Sequence, residues 1–186
     1  KFLSEDELEP IYKDRIENDQ SYLVVSTALK AYGAINEAAA LTIAESLENE
    51  KSSSMLGGIA QLYSTSKDAS KFAFFEKAFN GNVIQGFDKL GLLNSMTVYL
   101  TKQEPSVIAQ SIPIYKNLSE SGGMYMQMFL PQNISYLSDF IDGRILSLGD
   151  ELIDQEENDK VAYAADTRKK IKEFEAVKKQ FDTMDE

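Results

Sequence analysis

The chain has 186 residues, 43% of them hydrophobic, enough for one domain with a sizeable core. Its formal net charge is −11, from 30 acidic against 19 basic side chains; nucleic acid and anionic lipid both call for clustered Lys and Arg, so neither is an expected partner. Cysteine and histidine are absent, which excludes within these residues a disulfide, a thiolate nucleophile, a Ser-His-Asp triad and the H-E-x-x-H zinc motif.

Residues 1–16 open with Ser4-Glu5-Asp6-Glu7, a capping-box pattern with an acidic first turn. Leu8, Ile11, Tyr12 and Ile16 supply an apolar stripe, and Pro10 predicts a short or broken helix. The stretch Asp19–Ile35 is the most strongly patterned. Asp19 or Ser21 caps it, Tyr22, Val25, Leu29 and Tyr32 fall at steps of three and four, and Val24, Ala28, Ala31 and Ile35 widen the apolar face. A helix that broad meets neighbours on two sides. Gly33 is expected to end it.

Asn36 and Glu37 start a partner helix with Ala39, Ala40, Ile43, Ala44 and Leu47, whose small residues allow close approach. Ser52-Ser53-Ser54 caps a third helix through Tyr63, and Ser66 a fourth through Phe79. A longer segment runs from about Val83 to Leu100. Pro105 suits a first helical position, while Pro113 should kink or split the helix it opens. Ser121-Gly122-Gly123 turns into a short apolar piece, Met124 to Leu130, that stops at Pro131. The last third keeps a three-four rhythm, first through Ile134, Leu137, Ile141, Ile145, Leu148 and Leu152. It resumes with Val161, Ala165, Arg168, Ile171, Phe174, Val177 and Phe181, with Asp166–Lys170 and Glu175–Lys179 as i,i+4 pairs.

No segment alternates with period two, so the fold class is all-α. Tyr32, Tyr63 and Tyr99 each close a candidate first helix, at spacings of 31 and 36 residues. Helix pairs of that length lie between the tetratricopeptide and HEAT repeats, and the tetratricopeptide consensus is missing. The expected architecture is a HEAT/armadillo-like α-solenoid of antiparallel helix pairs over residues 1–130, closed by a long helical hairpin over 131–186, within one domain. An irregular helical bundle is the other reading.

Candidate chemistry is sparse. Gly81-Asn82-Val83-Ile84-Gln85-Gly86 has the spacing of a phosphate loop, but Phe87-Asp88 follows where Lys-Ser/Thr is needed. Asp154, Glu156, Asn158 and Asp159 resemble a calcium loop, but Lys160 replaces its Gly and Ala165 its closing Glu. Met124, Met126 and Met128 could offer thioethers to a soft metal, though Met126 lies off the face of the other two; adaptable core or interface packing is the expected role. Glu45/Glu48 and Asp150/Asp154 are spaced to share a helix face and would form an acid/base pair only across a cleft. Asn117-Leu118-Ser119 and Asn133-Ile134-Ser135 are glycosylation sequons. No catalytic, cofactor-binding or metal-ligating residue is assigned. No apolar run approaches the roughly 20 residues that cross a bilayer. The chain starts at Lys1 rather than Met, so a fragment or processed form is expected, with a lean towards an exported protein.

One resemblance goes further. Asp19-Gln20-Ser21-Tyr22-Leu23-Val24-Val25, then Ala28-Leu29, Tyr32-Gly33 and Ile35, resembles the D-x-S-Y-x-V…A-L-x-x-x-G pattern in the helical C-terminal region of aminopeptidase N family zinc metallopeptidases. The likeness is clearest over residues 14–47 and fades to general helical layout by about residue 155. It implies a non-catalytic C-terminal domain that packs on an upstream catalytic domain and narrows the access of peptide substrates. The zinc and catalytic Glu would lie in that upstream part, and no family catalytic residue maps onto this chain. The alternative is a free-standing HEAT-like protein interaction module.

Overall fold

A computed structural model describes residues 3–158 and 160–184. Among them are nine α-helices and one 3-10 turn, with no strand. The chain forms two compact units, Lys1–Tyr99 and Leu100–Glu186. The change of character read at residues 130 and 131 falls inside one helix rather than at a unit boundary.

The first unit is built on α2 (Tyr22–Ile35), which packs against α1 (Glu5–Asn18), α3 (Glu37–Leu47) and α4 (Ser53–Tyr63). Val25, Ala28, Leu29 and Tyr32 are its buried face, and burial of each large member contributes about 1.5–3 kcal/mol. The capping box forms as expected: Ser4 N–H donates to Glu7 Oε2 at 2.8 Å, and Glu7 N–H donates to Ser4 Oγ. Pro10 does not break α1. It is exposed, as is Asp6, whose carbonyl loses its partner on the wet side, where water replaces it.

Gly33 does not end α2. The helix runs two residues further, and Asn36 both closes it and caps α3 by accepting from Ala39 N–H. The role of Gly33 is room: a Cβ there would lie 2.5 Å from Leu62 Cδ1. Gly58 of α4 does the same against α2, where a Cβ would meet Ser26 Cβ at 2.7 Å. Gly58, facing the backbone of α2, sets how closely α2 and α4 approach; Gly33 makes room for the end of the Leu62 side chain.

Beyond α4, Asp68 rather than Ser66 caps the next turn, Ala69–Lys71, which leads into α5 (Phe72–Asn80). The segment from Val83 is not helical until α6 (Phe87–Leu100). An aromatic row joins α4, α5 and α6: Tyr63 to Phe74 at 5.2 Å, Phe74 to Phe75 at 5.5 Å and Phe75 to Tyr99 at 5.1 Å between ring centres. The recurring tyrosines thus sit near the C-terminal ends of α2, α4 and α6, each fully buried.

The second unit holds α7 (Pro105–Ser121), α8 (Gly123–Glu157) and α9 (Val161–Asp182). Pro105 takes the first position of α7, and Pro113 does not split it. The apolar piece does not stop at Pro131; α8 continues through it for 35 residues in all. Pro131 is exposed, and Met126, Leu130, Ile134 and Leu137 are buried on either side of it. That packing outweighs the roughly 3 kcal/mol an interior proline costs. Gly123, at φ +72°, makes the turn between α7 and α8.

The hairpin of α8 and α9 is antiparallel: Gln155 meets Thr167, and Asp142 meets Lys178. On α9 the buried row is Ala164, Thr167, Phe174, Val177 and Phe181. Val161, Ala165 and Arg168, expected in that row, are exposed. In the first two turns of α9 the buried positions, Ala164 and Thr167, fall one residue before those of the apolar rhythm. Phe181 stands edge-on to Tyr115 of α7 at 5.3 Å.

The adjacent glycines of α4 give a paired test. Gly57 has open space at its Cβ position, so Gly57→Ala should stabilise by about 0.5–1 kcal/mol through helix propensity. Gly58→Ala should destabilise by about 1–3 kcal/mol, because Ser26 belongs to the helix that α4 packs on. Urea unfolding midpoints of the two variants should move in opposite directions.

Candidate functional site

A set of ionisable groups around a buried cation lies where α3, α4 and the Ala69–Lys71 turn meet. Lys71 is the buried cation at its centre, 7% exposed. Its ammonium pairs with Glu45, lies 3.7 Å from Asp68 and sits 5.2 Å from the centre of the Tyr63 ring. Tyr63 donates its hydroxyl to Glu48 Oε1 at 2.7 Å, and Tyr99 donates its own to the Asp68 carbonyl at 2.9 Å.

The electrostatics follow from these contacts. Burial, then the Glu48 carboxylate, pushes the Tyr63 phenol far above its usual range. Burial, then the Asp68 charge, pushes Tyr99 up to about 12. The Ser70 backbone N–H, with its hydroxyl and Lys71 in support, holds Asp68 below the usual carboxylate range. Both phenols therefore stay protonated as hydrogen-bond donors. Glu45 and Glu48, read as a possible acid/base pair, are drawn to different partners and do not face one another across a cleft. One cation and two hydroxyls of this set tie α3, α4, α6 and the turn before α5 to one another.

The other candidates are placed as follows. In the 81–86 segment Gln85 Nε2 donates to the Asn82 carbonyl. The first turn of the following helix carries Asp88, which accepts from Ser53 and would repel a phosphate. Asp154 and Glu156 end α8, paired with Lys160 and Arg168, and Asn158 donates to the Asp154 carbonyl. Asp159 lies outside the described residues. Among the described residues no group of three or more acidic side chains could hold a metal ion. Arg168, Lys169 and Lys170 pair with Glu156, Glu173 and Glu104; the expected i,i+4 partner of Lys170, Asp166, is replaced by Glu104. Asn133 is buried, and its amide donates to the Phe129 carbonyl, so it is not offered to a glycosyl donor; Asn117 is exposed on α7.

Met126 is in the core, whereas Met124 is 76% and Met128 64% exposed on α8. Tyr125 and Tyr136 are more than half exposed on the same helix. At 100° per residue all four lie within about a third of the helix circumference. No charge interrupts them, since Ser121 to Ser138 contains no Asp, Glu, Lys or Arg. The sequence reads these methionines as adaptable core or interface packing; Met126 lies in the core, and Met124 and Met128 lie on the surface.

No family model, curated protein or solved structure matches the chain. The likeness of residues 14–47 to the aminopeptidase N helical region therefore stands on the residues quoted for it. No described helix is long and apolar enough to cross a membrane.

A raised phenol pKa fixes a pH dependence. Tyr63 and Tyr99 have folded values above the unfolded value of about 10. Their contribution is complete below about pH 10 and declines as pH rises towards 12, because the unfolded state releases the proton first. Tyr63→Phe and Tyr99→Phe should each cost about 0.5–1.5 kcal/mol at neutral pH and flatten that alkaline loss, read from urea midpoints between neutrality and strong alkali.

Proposed function

We propose that the chain is a non-catalytic helical docking domain, and that the body it docks on is the catalytic domain of an aminopeptidase N-type zinc metallopeptidase. The observation that carries the docking role is the uncharged outer face of α8, with Met124 and Met128 exposed on a protein of net charge −11. A flexible thioether surface of this kind suits packing against another protein body. The commitment of the buried ionisable groups to one another supports a role in cohesion rather than turnover.

The partner is supplied by residue likeness: Asp19–Ile35, which carries the aminopeptidase pattern, contains α2, the helix on which the first unit is built. In this reading the zinc and its ligands belong to the partner, and paired helices would form a HEAT-like array that narrows the path of peptide N-termini. Tyrosines at the ends of alternate helices support such pairing. An acidic surface there would favour peptides carrying a free amine. The second reading, a free-standing HEAT-like interaction module, draws on the same α8 face.

The two readings separate in the reading frame upstream of Lys1. An H-E-x-x-H motif with a later Glu supports the peptidase, and an unrelated domain or a stop codon contradicts it. The isolated chain incubated with zinc and aminoacyl-p-nitroanilides should show no turnover above buffer; turnover would overturn the non-catalytic role.

A further inference from the structure

We propose that a cavity of about 200 Å³ in the first unit binds a small zwitterion with an apolar side chain, an aliphatic α-amino acid being the class that fits. Its walls come from the turn after α3, from α4 and from α5 with the residues that follow it. Leu56, Phe74 and Val83 supply apolar walls. Glu48, Glu50, Lys51 and Lys77 supply two charges of each sign.

Each carboxylate is held by a tyrosine hydroxyl. Tyr63 donates to Glu48 Oε1 at 2.7 Å and Tyr22 to Glu50 Oε2 at 2.8 Å. One oxygen of each is so committed, and the second keeps its capacity to accept from an ammonium group. Lys77 donates to Asn49 Oδ1, which uses one of its three ammonium protons. A lone cation would be attracted by two groups and repelled by two, and so would a lone anion. A ligand carrying both charges satisfies both pairs. The cavity is smaller than the roughly 300 Å³ at which drug-sized sites begin, so one residue-sized molecule is the matching scale. This inference does not depend on the docking role proposed above.

The test is an amide-resolved NMR titration of the chain with L-leucine, with isoamylamine and isocaproate as its cation-only and anion-only counterparts. Saturable shifts confined to residues 48–56 and 74–83, with a Kd of about 1 mM or tighter, are expected. Each single-charge analogue should bind about tenfold more weakly or worse, and Glu50→Gln and Lys77→Met should each weaken leucine by about tenfold. Ala78→Leu, which fills the cavity wall, should abolish the shifts; should that variant not fold, the two charge variants decide. Absence of saturable shifts, shifts centred elsewhere, equal binding of either analogue, or unchanged affinity in both charge variants would overturn the assignment.

Discussion

The first unit depends on the burial of one helix face. Leu29 and Tyr32 of α2 are fully buried, and the helices packed on α2 reach it from more than one side. The close approach of α4 rests on the missing Cβ of Gly58, which faces Ser26 and its backbone, while a Cβ at Gly33 would displace only the end of the Leu62 side chain. α1 is the clearest dependant. It has no buried residue of its own, and it is fastened to α2 through half-buried Leu8, Tyr12 and Ile16 and through the Tyr32 hydroxyl, donated to Glu9 at 3.1 Å. Lys13, and then Tyr32, hold Glu9 below the ordinary carboxylate range. Remove the α2 face and α1 retains little but its cap.

Charge is handled differently in the two units. In the first, a buried ammonium is placed against an aromatic ring with carboxylates beside it, so its desolvation is offset by several partners at once. In the second, the basic run of α9 is spread over acidic groups from α8, from Glu104 just before α7 and from its own next turn, all at least partly exposed. Exposed pairs of this kind contribute little each. The packing of Phe174, Val177 and Phe181 against their neighbours carries the hairpin instead. The uncharged face of α8 stands out against this pattern, since charge covers so much of the remaining surface.

Much of this was legible in the sequence. Apolar steps of three and four located the helices, and the Ser4, Asn36 and Ser52 caps marked where three of them start. The differences have two causes. Pro113, Pro131 and Gly33 read as local stops, yet each lies within a helix whose packing on both sides outweighs the local preference, whereas Pro10 lies on the exposed side of a helix with no buried residue, where water takes over the lost backbone partner. The Tyr spacing flagged three buried side chains but not their hydroxyl partners, because Glu9, Glu48 and Asp68 come from other elements. Lys71 carried no signal at all. A lysine in a short polar turn reads as solvated, and only the tertiary position of Glu45 and the Tyr63 ring makes it a buried cation. The cavity walls likewise come from three separate stretches of chain.

Native-state hydrogen exchange tests the central claim, that α2 is the member on which the first unit is built. The account predicts that amides of α2 and α4 exchange only through unfolding of the whole unit, while those of α1 open earlier and independently. Exchange of the α2 amides as fast as those of α1, with α5 and α6 still protected, would contradict it.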